Sequence, residues 1–74
     1  MNGGEGRRRE TVEGVIEEAM PNALFRVRLS TGRVVSAGPS TSLRHIVVRL
    51  IPGSRVLVEL SSHDPNRGNI IEKF

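Results

Sequence analysis

The chain has 74 residues, of which 36% are hydrophobic, and it contains no cysteine. A chain this short supports one small domain, and the lack of thiols excludes a disulfide framework, a thiolate nucleophile and a thiolate-bound zinc site. The formal net charge is +3, and no apolar run approaches the roughly 20 residues that span a bilayer, so we expect a soluble, cytoplasmic protein with no membrane partner.

The charge is distributed unevenly along the chain. Residues 1–9 hold three glycines and three arginines, so we expect a disordered basic arm there and a single domain over residues 10–74. Residues 10–18 contain four glutamates and no cation, whereas residues 19–58 contain six arginines and no acidic residue. A basic stretch of this kind favours nucleic acid as the partner.

Short runs rich in β-branched residues, separated by turn signals, predict five β-strands. The predicted strands cover residues 11–19, 24–29, 33–37, 55–60 and 69–72. Gly38-Pro39 is expected to end the third strand, and a turn at residues 64–68 is expected to separate the last two. Gly14 lies inside the first strand, where the missing side chain permits the sharp coiling of a small closed barrel.

The second and fourth predicted strands alternate along their length, which gives each strand one core face. Their predicted core residues are Phe25, Val27, Leu29, Val56, Val58 and Leu60. Arg26 and Arg28 fall on the opposite, solvated face of the second strand.

Apolar residues between the third and fourth strands follow helical spacing, at Leu43, Ile46, Val47 and Leu50. Ser40 or Thr41 is suited to cap a helix, but the β-branched run that follows favours extended structure, so we predict one short helical segment within residues 40–46. Five strands with a helical connection between the third and fourth predict an all-β fold, a five-stranded antiparallel OB-fold barrel. Such barrels bind oligonucleotides across one face and its loops.

Histidines and adjacent carboxylates give no pattern typical of a metal or catalytic site. His45 and His63 have no cluster of carboxylates beside them in the sequence. Glu17 and Glu18 are adjacent, so a regular strand directs them to opposite faces instead of pairing them for acid–base catalysis.

Residues 61–64 contain the side-chain types of a hydrolase triad but are too close in sequence to converge on a substrate. Asp64 is expected to accept backbone hydrogen bonds in the turn before Pro65. We therefore expect no catalysis, no metal and no cofactor.

Four segments in the same order resemble bacterial translation initiation factor 1. They are residues 14–29, 32–37 and 49–60, followed by His63-Asp64 with Arg67-Gly68. The most specific match is the run MPNALFRV at residues 20–27. The resemblance extends from about residue 10 to residue 73.

This resemblance implies a monomeric OB-fold protein that binds the rRNA of the small ribosomal subunit in the decoding region, at the aminoacyl-tRNA site, without catalysis. Other initiation factors on the ribosome are implied as further partners. Because Phe25 is a predicted core residue and the chain has no Trp or Tyr, RNA binding would depend mainly on arginine. By similarity, the expected RNA-binding residues are Arg33, Arg44, His45, Arg49 and Arg67.

The sequence departs from the family pattern at several positions. Thr41-Ser42 replaces the usual Gly-Lys, Val47 replaces an aromatic residue, His63 replaces a Tyr, and residues 69–73 replace a more basic closing run. These changes keep an alternative open, a diverged OB-fold protein that binds single-stranded RNA or DNA as an RNA chaperone or stress protein. A third hypothesis is a protein-interaction barrel that uses its acidic first strand.

Overall fold

The computed structural model describes residues 10–44 and 49–74, without the side chains of Ser42 and Arg44. The elements are β1 (Thr11–Met20), β2 (Leu24–Leu29), β3 (Val34–Pro39), α1 (Thr41–Arg44), β4 (Arg55–Leu60) and β5 (Arg67–Lys73). The predicted arm at residues 1–9 and the candidate residue His45 lie outside the described residues. The predicted fold class, an all-β OB-fold barrel with a short helix between the third and fourth strands, is confirmed.

The strands close into a barrel in the order β1-β2-β3-β5-β4. All neighbouring pairs are antiparallel except β3 and β5, which run parallel from Ser36↔Arg67 to Pro39↔Ile70. The expectation of a purely antiparallel barrel was therefore wrong for this pair. A closed ring of five strands cannot alternate direction at every step, because five is odd, so at least one pair must be parallel.

The same parallel pair explains why β3 ends later, and β5 begins earlier, than predicted. β3 continues through Gly38 and Pro39, and β5 begins at Arg67, two residues earlier than expected. The Ser40 N–H donates to the Ile70 carbonyl at 2.8 Å, so the pairing continues past the proline, which has no N–H of its own. The Gly-Pro and Arg-Gly pairs are strand residues here, not turns.

The barrel interior holds a single apolar cluster, as the predicted alternation requires. Its buried members are Ile16, Val27, Leu29, Val35, Ala37, Leu43, Val56, Val58 and Ile70. Leu43 belongs to α1, whose first turn is capped by the Ser40 Oγ, which accepts from the Leu43 N–H at 3.3 Å. Phe25 is half-buried and packs against this cluster, which confirms its predicted role in the core.

Two glycines allow the strands to approach closely. A Cβ at Gly14 would lie 2.6 Å from Val27 Cγ1 on β2, and a Cβ at Gly68 would lie 2.7 Å from the Glu59 carbonyl oxygen on β4. Contacts this short exclude any side chain without backbone movement. The tight coiling that was predicted at Gly14 therefore has a counterpart at the start of β5.

Candidate nucleic-acid interface

The two arginines on the outer face of β2 are paired with carboxylates of β1. Arg26 Nη1 lies 3.2 Å from Glu18 Oε1, and Arg28 Nε lies 2.6 Å from Glu17 Oε2. Both pairs are solvent-exposed in large part, as expected for a solvated sheet face. A phosphate would have to compete with a carboxylate for either guanidinium.

A β-bulge explains how adjacent glutamates reach the same face. The register between β1 and β2 shifts between Ile16 and Glu18, which leaves Glu17 as the extra residue. In a regular strand Glu18 would point inward with Ile16, but the bulge turns both carboxylates outward. The expectation that Glu17 and Glu18 point to opposite faces was therefore wrong.

The third ion pair among the described residues joins β1 to β4. Arg55 Nη2 lies 3.9 Å from Glu13 Oε1, and both side chains are more than half exposed. β1 therefore lies between two strands that carry arginine and offers each of them a carboxylate. Much of the negative charge of residues 10–18 is balanced within the barrel.

A polar groove of about 490 Å³ lies next to the outer face of β2, since Ser36, one of its lining residues, pairs with Arg26. It lies between the β1–β2 turn and the β4–β5 loop, over the parallel pair of β3 and β5. Its lining residues are Asn22, Ala23, Leu24, Ser36, Gly38, Pro39, Ser61, Asp64, Arg67, Gly68 and Asn69. Surfaces in this position, between the first and last loops of an OB barrel, bind oligonucleotides.

Arg33 and Arg67 both lie at the β4–β5 loop, which forms one wall of this groove. Arg67 is exposed and lines the groove. Arg33 is also exposed, and its Nη1 donates to the Pro65 carbonyl at 3.4 Å. Within residues 10–44 and 49–74, neither guanidinium forms an ion pair. These two candidate residues are therefore brought together with their charges available to an anion.

The β4–β5 loop is held by its own hydrogen bonds. Ser61 Oγ accepts from the N–H groups of His63 and Asp64 at 3.1 and 3.2 Å. Asp64 Oδ1 accepts from the Asn66 N–H at 2.9 Å, which confirms the expected turn role of this carboxylate. The Asp64 carbonyl accepts from the Arg67 N–H at 3.1 Å, so the loop fixes the backbone that carries Arg67.

The β1–β2 turn forms the opposite wall of the groove. Asn22 and Ala23 have φ angles of 67° and 59°, in the left-handed region. Asn tolerates this region, whereas the Cβ of an alanine makes it costly. Sequence reasoning did not identify Asn22, Ser36 or Asn69 as groove residues, although the Pro21-Asn22 turn signal marked where this wall would be.

Of the remaining candidates, Arg49 lies away from this cluster. Arg49 is exposed and precedes the turn that leads into the start of β4, whereas Gly68, next to Arg67, pairs with Leu60 at the end of β4. A six-residue strand is about 17 Å long, so Arg49 and Arg67 belong to opposite ends of the barrel. α1 contains Arg44, but the position of its side chain is not described, and His45 lies beyond the described segment.

In the part of the chain that the structure describes, no three His, Asp or Glu side chains lie together as metal ligands would. None of the described helices is long and apolar enough to cross a membrane.

Comparison with known proteins places this geometry in a family. No protein-family model matches the chain. The solution structure of translation initiation factor 1 from the Wolbachia endosymbiont strain TRS of Brugia malayi is 33% identical in sequence, with a TM-score of 0.75. The match covers 95% of this chain and 83% of the Wolbachia chain. The shared barrel and the extent of the match show that the chain belongs to the translation initiation factor 1 family.

Proposed function

We propose that the protein binds the rRNA of the small ribosomal subunit in the decoding region and occupies the aminoacyl-tRNA site, without catalysing a reaction. The observation that carries this proposal is the pair of exposed guanidinium groups at the β4–β5 loop, where Arg67 lines the polar groove and Arg33 donates to Pro65, and neither forms an ion pair with a described residue. In the rest of the described barrel, the arginines on β2 and β4 face carboxylates. Family membership supports the rRNA of the small subunit as the anionic partner.

The mechanism combines phosphate binding with steric exclusion. A guanidinium binds a phosphate through two parallel hydrogen bonds, which fixes position as well as adding affinity. The amides of Asn22 and Asn69 add donors and acceptors suited to base edges, although most contacts to a folded rRNA would go to its backbone. Once docked, the barrel itself would block a tRNA from entering the same space.

The groove is suited to this role because hydrogen bonds within the barrel hold its floor and one of its walls. The β4–β5 loop is held by side-chain hydrogen bonds from Ser61 and Asp64, and the floor of the groove consists of paired strands. Little conformational entropy is then lost when RNA binds, so more of the interaction energy contributes to affinity.

Arg44, His45 and Arg49 remain proposed RNA contacts on the strength of the family pattern alone. Because Arg49 belongs to the opposite end of the barrel from Arg67, RNA contacted by Arg49 would lie on a second part of the surface. We further propose that the protein acts as a cytoplasmic monomer and meets other initiation factors on the ribosome.

Co-sedimentation with purified small subunits tests this proposal, with chemical probing of the decoding-region rRNA in the same samples. We expect the protein to sediment with the subunits in the presence of excess free single-stranded RNA, and to protect decoding-region nucleotides. Protection elsewhere on the rRNA would contradict the proposed location.

A diverged single-stranded RNA or DNA binder is the second candidate function. The replacement of Gly-Lys by Thr41-Ser42 and of Tyr by His63 favours it, because each change removes a phosphate-binding or stacking group. In the same co-sedimentation experiment, free single-stranded RNA would then remove the protein from the subunits. That result would replace the ribosomal proposal with this one.

A further inference from the structure

A second surface lies at the end of the barrel away from the polar groove. Ile51 and Phe74 are 50% and 54% exposed, and they are the two most exposed large hydrophobic residues of the described chain. Together with Pro52, they line a depression of about 470 Å³ that is also bordered by Arg55 and Lys73. No acidic side chain lines this depression.

The walls of the depression are fixed by hydrogen bonds. The Ser54 N–H donates to the Ile51 carbonyl at 2.9 Å, and Gly53 has a φ of 94°, the pattern of a type II turn with Pro52 at its second position. The Gly53 N–H donates to the Ile16 carbonyl of β1 at 2.8 Å. This turn is therefore attached to the barrel.

Phe74 is attached in the same way. Its N–H donates to the Arg55 carbonyl at 2.9 Å, which extends the pairing of β5 with β4 by one residue. Phe25, the other aromatic residue of the chain, packs against the core. Phe74 is therefore the aromatic ring that this protein presents to solvent, and it does so from an ordered backbone.

We propose that this surface, residues 51–55 with Lys73 and Phe74, is a second site for single-stranded RNA. A base would stack on the Phe74 ring against the apolar wall of Ile51 and Pro52, and the adjoining phosphates would bind Lys73 and Arg55. An aromatic ring beside cations is the arrangement by which proteins bind single strands with little sequence preference. Because any single strand offers a base and a phosphate, the site does not depend on ribosome binding.

Charge favours RNA over a protein partner at this surface. Lys73 forms no ion pair with a described residue. Arg55 is 3.9 Å from Glu13, at the limit of an ion pair, and both side chains are exposed, so a phosphate competes with that carboxylate at little cost. An apolar patch bordered by cations is complementary to a ligand that is both planar and anionic.

The test is a titration of the ¹⁵N-labelled full chain with a short oligoadenylate RNA, followed by NMR. We expect amide shift changes at residues 51–55, 73 and 74. Phe74→Leu keeps an apolar side chain but removes the ring, so the dissociation constant at these amides should rise about fivefold or more. Phe74→Tyr keeps the ring and should bind the oligonucleotide as the parent does. Val34→Ala, at another exposed apolar residue, should also leave the dissociation constant unchanged.

Lys73→Gln should reduce the salt dependence of the same titration by a slope of roughly 0.7, the value for one phosphate contact to a single strand. If the shift changes are confined to the groove around Arg67 and Phe74→Leu binds as the parent does, the second site does not exist, and the proposed function is untouched. If Phe74→Leu weakens binding to small subunits but not to the oligonucleotide, the surface belongs to the ribosome-binding interface, and the proposal of a separate single-strand site is overturned.

Discussion

The β2 face and the groove end of the barrel both carry arginine, but among the described residues only the β2 arginines of these two regions face a carboxylate. On β2, Arg26 and Arg28 lie within 3.2 Å of glutamates from β1. At the groove, Arg33 and Arg67 have no carboxylate partner among the described residues. The charge of a segment therefore does not by itself locate an interface. Cross-strand pairing decides which cations remain available.

The difference between the two regions concerns binding more than stability. Exposed ion pairs contribute about 0.2–1 kcal/mol and weaken as salt screens them. The same pairs nevertheless engage one nitrogen of each guanidinium and hold a negative charge where a phosphate would bind. A carboxylate on β1 therefore acts against RNA binding at β2 while adding little to the free energy of unfolding.

A substitution that unfolds the barrel should have the largest effect, because both regions depend on the fold. Val58 is fully buried on β4, so Val58→Asp places an unpaired charge in the core at a cost of several kcal/mol, comparable with the whole stability of a domain this small. We expect loss of the cooperative thermal transition in circular dichroism. Val15→Asp, at an exposed position on β1, is the control and should melt close to the parent; equal melting of the two variants would show that the strand facing is wrong.

Gly68→Ala should destabilise the barrel at the end that carries the groove. The added Cβ would lie 2.7 Å from the Glu59 carbonyl and 2.8 Å from Val58 Cγ1, so β5 must move away from β4 next to Arg67. Overpacking of this kind costs about 1–3 kcal/mol, measurable by urea denaturation. At Gly38 the nearest atoms are 3.5 Å away, so Gly38→Ala should change stability much less. An unchanged midpoint for Gly68→Ala would contradict the close approach of β4 and β5.

Removing the carboxylates should make the β2 face resemble the groove. Replacing Glu17 and Glu18 together by Gln keeps their shape but frees the guanidiniums of Arg26 and Arg28. We expect stronger binding of free single-stranded RNA, with a salt slope steeper by up to roughly 1.4, the value for two phosphate contacts. Stability should change by less than about 1 kcal/mol for either pair. An unaltered RNA affinity would show that pairing does not limit access to β2.

A smaller change in the free energy of unfolding is expected for substitutions in the β1–β2 turn, at the wall of the groove. Ala23 has a φ of 59°, and Ala23→Gly removes the steric cost of that conformation while adding entropy to the unfolded chain. These terms oppose each other, so the free energy of unfolding should rise by less than about 1 kcal/mol in urea titration. Asn22→Gly should gain less still, because Asn tolerates the left-handed region; a larger gain there would show that Ala23 is not the strained residue.

Much of the barrel could be predicted from the sequence because period-two alternation and turn residues are local signals. β2 and β4 have the predicted bounds, and Phe25 and Val58 face the core as expected. Gly38-Pro39 was expected to end β3, but both residues pair with β5. That pairing depends on a partner some 30 residues away along the chain, which no local pattern reveals. The parallel pair itself follows from the odd number of strands once the barrel is known to close.

The candidate site was less predictable for the same physical reason. A bulge in β1 turns Glu17 and Glu18 to one face, and a single extra residue of this kind has no clear sequence signal. Without it, the two cations of β2 would look as available as Arg33. The groove residues likewise come from separate strands and loops, so only closure of the barrel shows that Asn22 and Asn69 line one surface.

The salt dependence of small-subunit binding by matched arginine variants tests the central claim most directly. That claim is that cross-strand pairing decides which arginines bind RNA. Arg33→Ala and Arg67→Ala should each flatten the slope of log K against log salt concentration by roughly 0.7–0.9, since each removes one phosphate contact. Arg26→Ala and Arg28→Ala should leave the slope near that of the parent, because their guanidiniums are already paired with carboxylates. A flatter slope for the β2 variants, with no change for Arg33→Ala and Arg67→Ala, would place the interface on β2 and not at the groove.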